Sequence, residues 1–403
     1  MLVRAGLARL GCLPGWRCLS SVPRIGELRT VRQVVDAHAQ HHKQYRPNDL
    51  GASWNTLGKL VRRQSEKQVL RDAPQMLQPL AEHTEQALPK FDARPLANTV
   101  NGLASLYASR GWQASDALWA ELAAHGTRCV PTMKAHGLAN TVHGFAKVGR
   151  REPALLDAIA EEAARRGLRE FKPQELANTA WAYATAGHAA PALLDAIAEE
   201  AAERGLREFT PQGLTNMAWA YAAADHAAPA LFGGDAFVQR CAALAAERSL
   251  VSVDLCQLHQ WQLWQEERGG AWPPLSPALA QRCRNAFCPE MGARSVLQQD
   301  VADTLCTLGL AMREEVRTPL GYRLDAVVVH AGSVVAVEVD GPKSVVGRTP
   351  TGATAIKRRQ LRAAGWKVLP VPYWEWDTLR SMAAKRQYLQ RALEGFGLLS
   401  SLS

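Results

Sequence analysis

The sequence predicts an α-helical repeat solenoid followed by a small α/β domain at its C-terminal end. Two observations carry this: a 38-residue segment that recurs along the middle of the chain, and a late block in which short apolar runs alternate with turns and one basic helix. Residues 154–191 (ALLDAIAEEAARRGLREFKPQELANTAWAYATAGHAAP) and 192–229 agree at 31 of 38 positions. Older copies extend upstream, where Asn55 in SWNTLGKL, Asn98 in LANTVNGLASLY and Asn140 in LANTVHGFAKVG precede Asn178 and Asn216 at spacings of 43, 42, 38 and 38 residues. LCQLHQWQLW around Gln257 reads as a decayed sixth copy. A period of this length is the signature of stacked supersecondary units.

Each unit parses as two helices. Pro173 and Pro211 stand where a first helical turn tolerates a missing N–H, and apolar residues at 176, 180, 183 and 184 share one face. Gly187 or Asp225 ends that helix, Pro191 opens the next, and Gly205 stops it. A hairpin of this size cannot bury its face alone, so the copies must stack. The array is expected over residues 51–294, after a transit peptide at 1–26 and a linker at 27–50; a C-terminal domain at 295–396 and a tail at 397–403 follow.

Charge divides the chain in the same way. The net charge is +9, but residues 51–294 carry 25 basic and 25 acidic side chains, whereas residues 1–50 hold 8 and 3 and residues 295–403 hold 14 and 10. Basicity therefore lies at the two ends, which points to an anionic partner met there. From Met1 to Gly26 no acidic residue occurs, while Arg4, Arg9, Arg17 and Arg24 are spaced among apolar residues. That is the character of an organelle transit peptide; arginine outweighs serine, favouring the mitochondrial matrix, with the plastid stroma as the alternative. No apolar run approaches the roughly 18–20 residues of a membrane span. The eight cysteines form no CxxC pair, which fits free thiols better than zinc, and no GxxxxGK[ST] phosphate loop occurs.

The recurring asparagine admits two readings. Its neighbour three residues on varies: Gly58, Asn101, His143, Trp181, Trp219. A fixed amide beside a variable residue suits a modular RNA reader, with Asn98, Asn140, Asn178 and Asn216 meeting successive nucleotides. The alternative is a ladder of amides satisfying stacked helices, with Trp181 and Trp219 in the core.

In the C-terminal block, residues 295–311 read as an amphipathic helix, and Val316, Leu324–Val329 and Val334–Val339 as three strands. Thr351–Ala364 reads as a basic helix and Lys367–Val371 as a fourth strand. The order α-β-β-β-α-β is that of a restriction-endonuclease-like core. VEVDGP, TG, KRRQL, GW and VPYWEW, in that order, resemble a RAP domain over roughly residues 313–394. The resemblance implies an organellar RNA-binding protein with degenerate helical repeats upstream, similar to octotricopeptide or FAST-kinase-like arrays. The implied roles are RNA processing, stability, ribosomal RNA maturation or translation.

Nuclease chemistry on this core needs two carboxylates to hold Mg²⁺ or Mn²⁺ and a lysine near the attacking water. Asp325 and Glu338 fit the first two places, but Asp340 stands where the lysine belongs. Lys357 supplies the ammonium from the following helix in one reading, with Asp340 as a third metal oxygen; in the other, all are structural and no cofactor is implied. Lys357, Arg358, Arg359 and Arg362 cluster within two turns and suit phosphates or a solvated face. Trp374 and Trp376 fall on one side of an extended segment, to stack on bases or to close the core. Three functions thus stand: RNA-binding protein, metal-dependent endoribonuclease, and protein scaffold in a ribonucleoprotein complex.

Overall fold

The computed structural model describes residues 22–287, 294–330, 332–342, 344–346 and 348–396. Most of the expected transit peptide and the whole tail at 397–403 lie outside the described residues. Fifteen helices come first among these residues: α1 (Val31–His41), α2 (Pro47–Leu60), α3 (Gln64–Asp72), α4 (Gln78–Ala87), α5 (Ala93–Ala108), α6 (Asp116–Cys129), α7 (Ala135–Lys147), α8 (Pro153–Arg166), α9 (Pro173–Ala186), α10 (Pro191–Arg204), α11 (Pro211–Ala224), the one-turn α12 (Pro229–Phe232), α13 (Ala236–Ala246), α14 (Ser252–Glu267) and α15 (Pro277–Ala286). The asparagine-bearing helices α2, α5, α7, α9 and α11 pack each on the next, and α14 continues the row, as expected of a sixth copy. Helices α6, α8 and α10 form a second row behind them.

The repeat chemistry is visible bond by bond. Tyr183 donates its hydroxyl to the Leu156 carbonyl at 2.7 Å, and Tyr221 does the same to Leu194 at 2.6 Å, tying each inner helix to the outer helix before it. His188 with Asp157 and His226 with Asp195, both at 2.7 Å, repeat 38 residues apart. Arg166 and Arg204, at the ends of α8 and α10, cap carbonyls of the preceding turn: Arg166 reaches Pro131 and Met133, Arg204 reaches Leu168, Arg169 and Phe171. Part of the array's charge is engaged in such internal bonds.

The inner helices end alike. Arg110, Gly149, Gly187 and Asp225 sit just past α5, α7, α9 and α11 with φ of 54°, 71°, 60° and 53°. The next amide bonds back to the carbonyl five residues earlier in each case. This is the left-handed C-terminal cap, for which glycine is the least strained residue.

The expectation of a linker over 27–50 is corrected. Thr30 and Gln33 form a capping box that starts α1, Val31 and Val34 are fully buried, and the Val31 amide donates to Glu66 at 2.7 Å. Apolar residues three apart on a capped helix pulled this segment into the array's core.

The C-terminal domain contains α16 (Val296–Cys306), β1 (Ala311–Arg317), β2 (Arg323–His330) and β3 (Ser333–Asp340), a two-residue ladder β4 (Val345–Val346) with β5 (Thr349–Pro350), α17 (Gly352–Ala363), β6 (Lys367–Pro372), the one-turn α18 (Tyr373–Trp376) and α19 (Met382–Glu394). The main sheet runs β1-β2-β3-β6, antiparallel except for the parallel pair β3/β6. The α-β-β-β-α-β order therefore holds, with β4/β5 inserted. One sheet face buries Val328, Val335, Val337 and Val371 with Leu305 of α16 and Leu389 of α19. The other buries Leu324, Val327, Ala336 and Val368 with Leu361 of α17 and Leu263, which comes from array helix α14.

Helix α17 joins the two halves. It lies on α9, α11 and α14, and its Ile356 belongs to the array's own core. A Cβ placed on Gly352 would stand 2.1 Å from the Ala184 carbonyl oxygen, a backbone atom that cannot step aside. Gly352→Ala is expected to destabilise the protein by about 1–3 kcal/mol, the usual cost of overpacking. It should also loosen the two halves, read as a lower thermal midpoint and new protease cleavage between residues 287 and 352.

Candidate functional site

Asp325, Glu338, Lys357 and Asp340, scattered over 33 residues of sequence, meet at the C-terminal end of β3. The β1/β2 pairing passes from Glu314–Ala326 to Val316–Leu324, and Glu315 there has φ of 55°. The register is the same on either side, so Glu315 and Asp325 face each other without a ladder pair and no residue is inserted. Asp325 accepts from Gln298 Nε2 at 2.7 Å and from the Val339 amide at 2.8 Å, so its two oxygens tie β2 to α16 and to β3.

Glu338 is buried. Lys357 Nζ donates to its Oε2 at 2.5 Å and to the Arg323 carbonyl at 2.7 Å, while Oε1 is buried with no hydrogen-bond partner. Asp340 is buried against Arg358, which donates to Oδ2. Burial lifts the Glu338 carboxyl to about 7, opposed by Lys357 and reinforced by Asp325 and Asp340. Asp340 is raised for the same first cause, against the pull of Arg358.

A divalent cation needs several free carboxylate oxygens converging on one point. Here both Asp325 oxygens are hydrogen-bonded, Lys357 holds Glu338 Oε2, Arg358 holds Asp340 Oδ2, and Glu338 Oε1 is buried without a partner. Among the described residues no group of three His, Cys, Asp or Glu side chains is placed to hold a metal. The arrangement does not fit the ion, and no step is routed through one. The expected metal triad Asp325, Glu338 and Asp340 is instead three carboxylates bound separately to an amide pair, a lysine and an arginine.

The basic helix is largely turned inward as well. Arg359 Nε donates to Glu267 Oε2 at 2.9 Å, and its Nη2 donates to the Ala222 carbonyl at 2.5 Å, closing the C-terminal turn of α11. With Lys357 on Glu338 and Arg358 on Asp340, Arg362 alone of the four faces solvent. The expectation of a four-cation phosphate face on this helix is therefore corrected: a partner inside the fold holds each of the other three. Gln360 completes the seam, donating to the Gln260 carbonyl at 2.7 Å and accepting from the Tyr322 hydroxyl at 2.7 Å.

Trp374 and Trp376 do not share a face. The segment expected to be extended closes into α18; Trp376 is buried with Nε1 donating to Asp300 at 2.7 Å, and Trp374 stays half-buried, edge-on to Tyr373. A helical turn spaces residues i and i+2 about 200° apart, which separates the rings.

On the array, Asn98, Asn140, Asn178 and Asn216 are all half-buried. Asn140 donates to His136 at 2.8 Å and Asn216 accepts from Gln257 at 2.9 Å, while Asn101 donates to Asn55 at 3.2 Å. Asn98 and Asn178 have no side-chain hydrogen bond among the described residues. The amides thus do not run as one unbroken ladder. The variable positions do form a row: the His143 ring lies tilted to Trp181 at 5.3 Å between centroids, and Trp181 tilted to Trp219 at 6.4 Å. Burial, then Lys147, holds His143 near 4, so it stands in the row as a neutral ring. Past Trp219 the same position is Gln260, covered by Tyr322 of the C-terminal domain.

Sequence reasoning missed Arg110, Trp112 and Lys147, which gather at the ends of α5 and α7. The signal was present: an arginine occupies the cap position that glycine fills in the next two copies.

Glu338 gives the cluster a testable pH dependence. The folded chain keeps its proton up to about 7, the unfolded chain only to about 4.5, so stability falls as pH climbs between those values and levels off above them. Asp340 adds in the same direction. Glu338→Gln should flatten most of that slope in urea unfolding measured across the window; an unchanged slope would assign it elsewhere.

Comparison with known proteins agrees with this architecture. Residues 337–392, which span β3 to α19, match the RAP domain family. The chain is 38% identical over 101 residues to a RAP domain-containing protein, chloroplastic, of Oryza sativa subsp. japonica. That match covers 25% of this chain and 15% of the relative.

Proposed function

Because the chain carries a RAP domain, we propose that it is an organellar RNA-binding protein acting in RNA processing, stability, ribosomal RNA maturation or translation. In this reading the repeats select the RNA and the RAP domain holds it at the array's end. The observation that carries the reading is the inner row of the array. Half-buried amides, and beside them the rings of His143, Trp181 and the buried Trp219 at one register of successive helices, run up to the RAP domain packed against them. Stacking and hydrogen bonding from a helical-repeat surface are how modular proteins read unpaired bases, and they need little net charge.

Two further features support an organelle as the place of action. The acid-free, arginine-bearing residues 1–26 favour the mitochondrial matrix. The rice relative, by its name, is a chloroplast protein, which supports the plastid stroma. A fluorescent fusion to residues 1–26, expressed in the source cell, decides between the two.

The endoribonuclease reading is not taken up, since each of its three carboxylates is already bound to a side chain or amide of the fold. Crosslinking in cells, purification and sequencing of bound RNA test the proposal. Reads enriched in one or a few organellar transcripts are expected, and recovery equal to a no-crosslink control would overturn it. If partners instead persist through RNase treatment while no RNA crosslinks, the chain is a protein scaffold. Purified protein with Mg²⁺ or Mn²⁺ should leave bound RNA intact; cleavage abolished by Asp325→Ala with Glu338→Ala would restore the nuclease.

A further inference from the structure

A cleft of about 1050 Å³ opens where the ends of α5, α7 and α9 face the RAP domain wall formed by Pro342, Thr351 and Ala353. The variable positions Trp181 and Trp219 line it, but none of the candidate asparagines, carboxylates or α17 cations does. We infer that this cleft binds an unpaired nucleotide of single-stranded RNA, with the base stacked against Trp181 and the phosphate held by Lys147 and Arg110. The inference rests on the RNA-binding reading above and gives it a location.

The lining is one-sided in charge. It holds Arg110 and Lys147 and no Asp or Glu, together with Trp112, Trp181 and Trp219. Aromatic walls beside cations, with no competing acid, suit a ligand that joins a flat ring to an anion. In a chain whose other arginines and lysines so often cap carbonyls or pair with carboxylates, these two have no ion-pair partner among the described residues. Lys147 is half-buried, and burial together with nearby Arg62 makes its charge costly; a phosphate would relieve both.

Arg110 adds an independent argument. It is exposed and held at φ of 54°, in the cap position occupied by Gly149 and Gly187 in the following repeats. An arginine kept in the left-handed region where glycine would be unstrained is retained for its side chain, not for its backbone. A third observation points to a ligand as well. Thr185 Oγ1 and Gln257 Oε1, both on the lining residues, are buried without a hydrogen-bond partner. Gln257 is held in place because its Nε2 donates to Asn216. A base edge entering the cleft would satisfy such atoms, as buried polar groups require.

The test uses the full chain and a short fluorescein-labelled single-stranded RNA, followed by anisotropy, with intrinsic tryptophan emission as a second readout. AMP, the same RNA as a duplex, and an acidic peptide serve as comparison ligands. Trp181→Ala is expected to lower affinity roughly 5- to 150-fold, the range of one stacked base, and to abolish part of the quenching, while Trp181→Phe retains most of both. Arg110→Gly and Lys147→Gln should each weaken binding and reduce the slope of log K against log salt by about 0.7. Arg110→Gly removes a strained backbone position, so its thermal midpoint should not drop, which separates lost contact from lost fold. Single-stranded RNA that binds wild type, Arg110→Gly, Lys147→Gln and Trp181→Ala equally would overturn the cleft and leave the RNA-binding reading standing. No binding of RNA to the wild type would overturn both. Saturation by AMP at the same concentrations as RNA would make the cleft a free-nucleotide pocket, and preference for the acidic peptide would make it a protein contact; either overturns the inference.

Discussion

The structure depends on how α17 is shared between the two halves. A stack of helical hairpins presents the apolar positions of successive inner helices to whatever packs beside them. Helix α17 lies across three of these helices, α9, α11 and α14, from outside the repeats. Ile356 enters the array core, Leu361 enters the core under the sheet, and Gly352 lets the helix backbone approach Ala184 where any side chain would collide. Arg359 then places its charge on the last carbonyls of α11, where the negative end of the helix dipole favours a cation, and pairs with Glu267 of α14. The RAP domain is therefore not a module on a tether. Its fold and the end of the array are completed by the same twelve-residue helix.

That sharing determines the use of the positive charge. Lys357 and Arg358 face the sheet and meet buried carboxylates, Arg359 faces the array, and Arg362 remains for solvent. Removing one partner from a buried pair is costly because it strands the other, so these cations are not available to an incoming phosphate without loss elsewhere. The same economy runs through the repeats, where Arg166 and Arg204 brace one turn against the next. Against this background stand Arg110 and Lys147, which have no ion-pair partner among the described residues and lie beside the partly buried rings of Trp112 and Trp181. Recognition by such a surface leans on stacking and hydrogen bonds, with charge as a local supplement.

The carboxylate cluster shows how a fold can retain the geometry of a hydrolytic centre while its atoms are engaged in other bonds. Asp325, Glu338 and Lys357 do come together, as the spacing suggested. The left-handed backbone at Glu315 leaves Asp325 out of the ladder, Asp325 binds an amide in β3 and Gln298, and the ammonium of Lys357 fills the place beside Glu338. The result is a buried carboxyl raised to about 7 and tied to a lysine, which is a structural arrangement with a pH signature.

The sequence by itself determined the repeats, their helix limits and the order of the C-terminal elements. Each of these is fixed locally: proline at first turns, glycine past last turns, apolar residues at periods of 3.6 or 2. It also brought the right residues of β2, β3 and α17 to one place. It did not reveal that residues 27–50 fold into the array, that YWEW coils instead of extending, or that the four-cation run faces two ways. Those outcomes depend on which partner each side chain meets across tens of residues of chain. A cluster such as KRR carries no mark of whether its neighbours will be water, a carboxylate or the end of another helix. Only packing decided that, and with it the position of a cleft whose walls come from five successive repeats and the RAP domain at once.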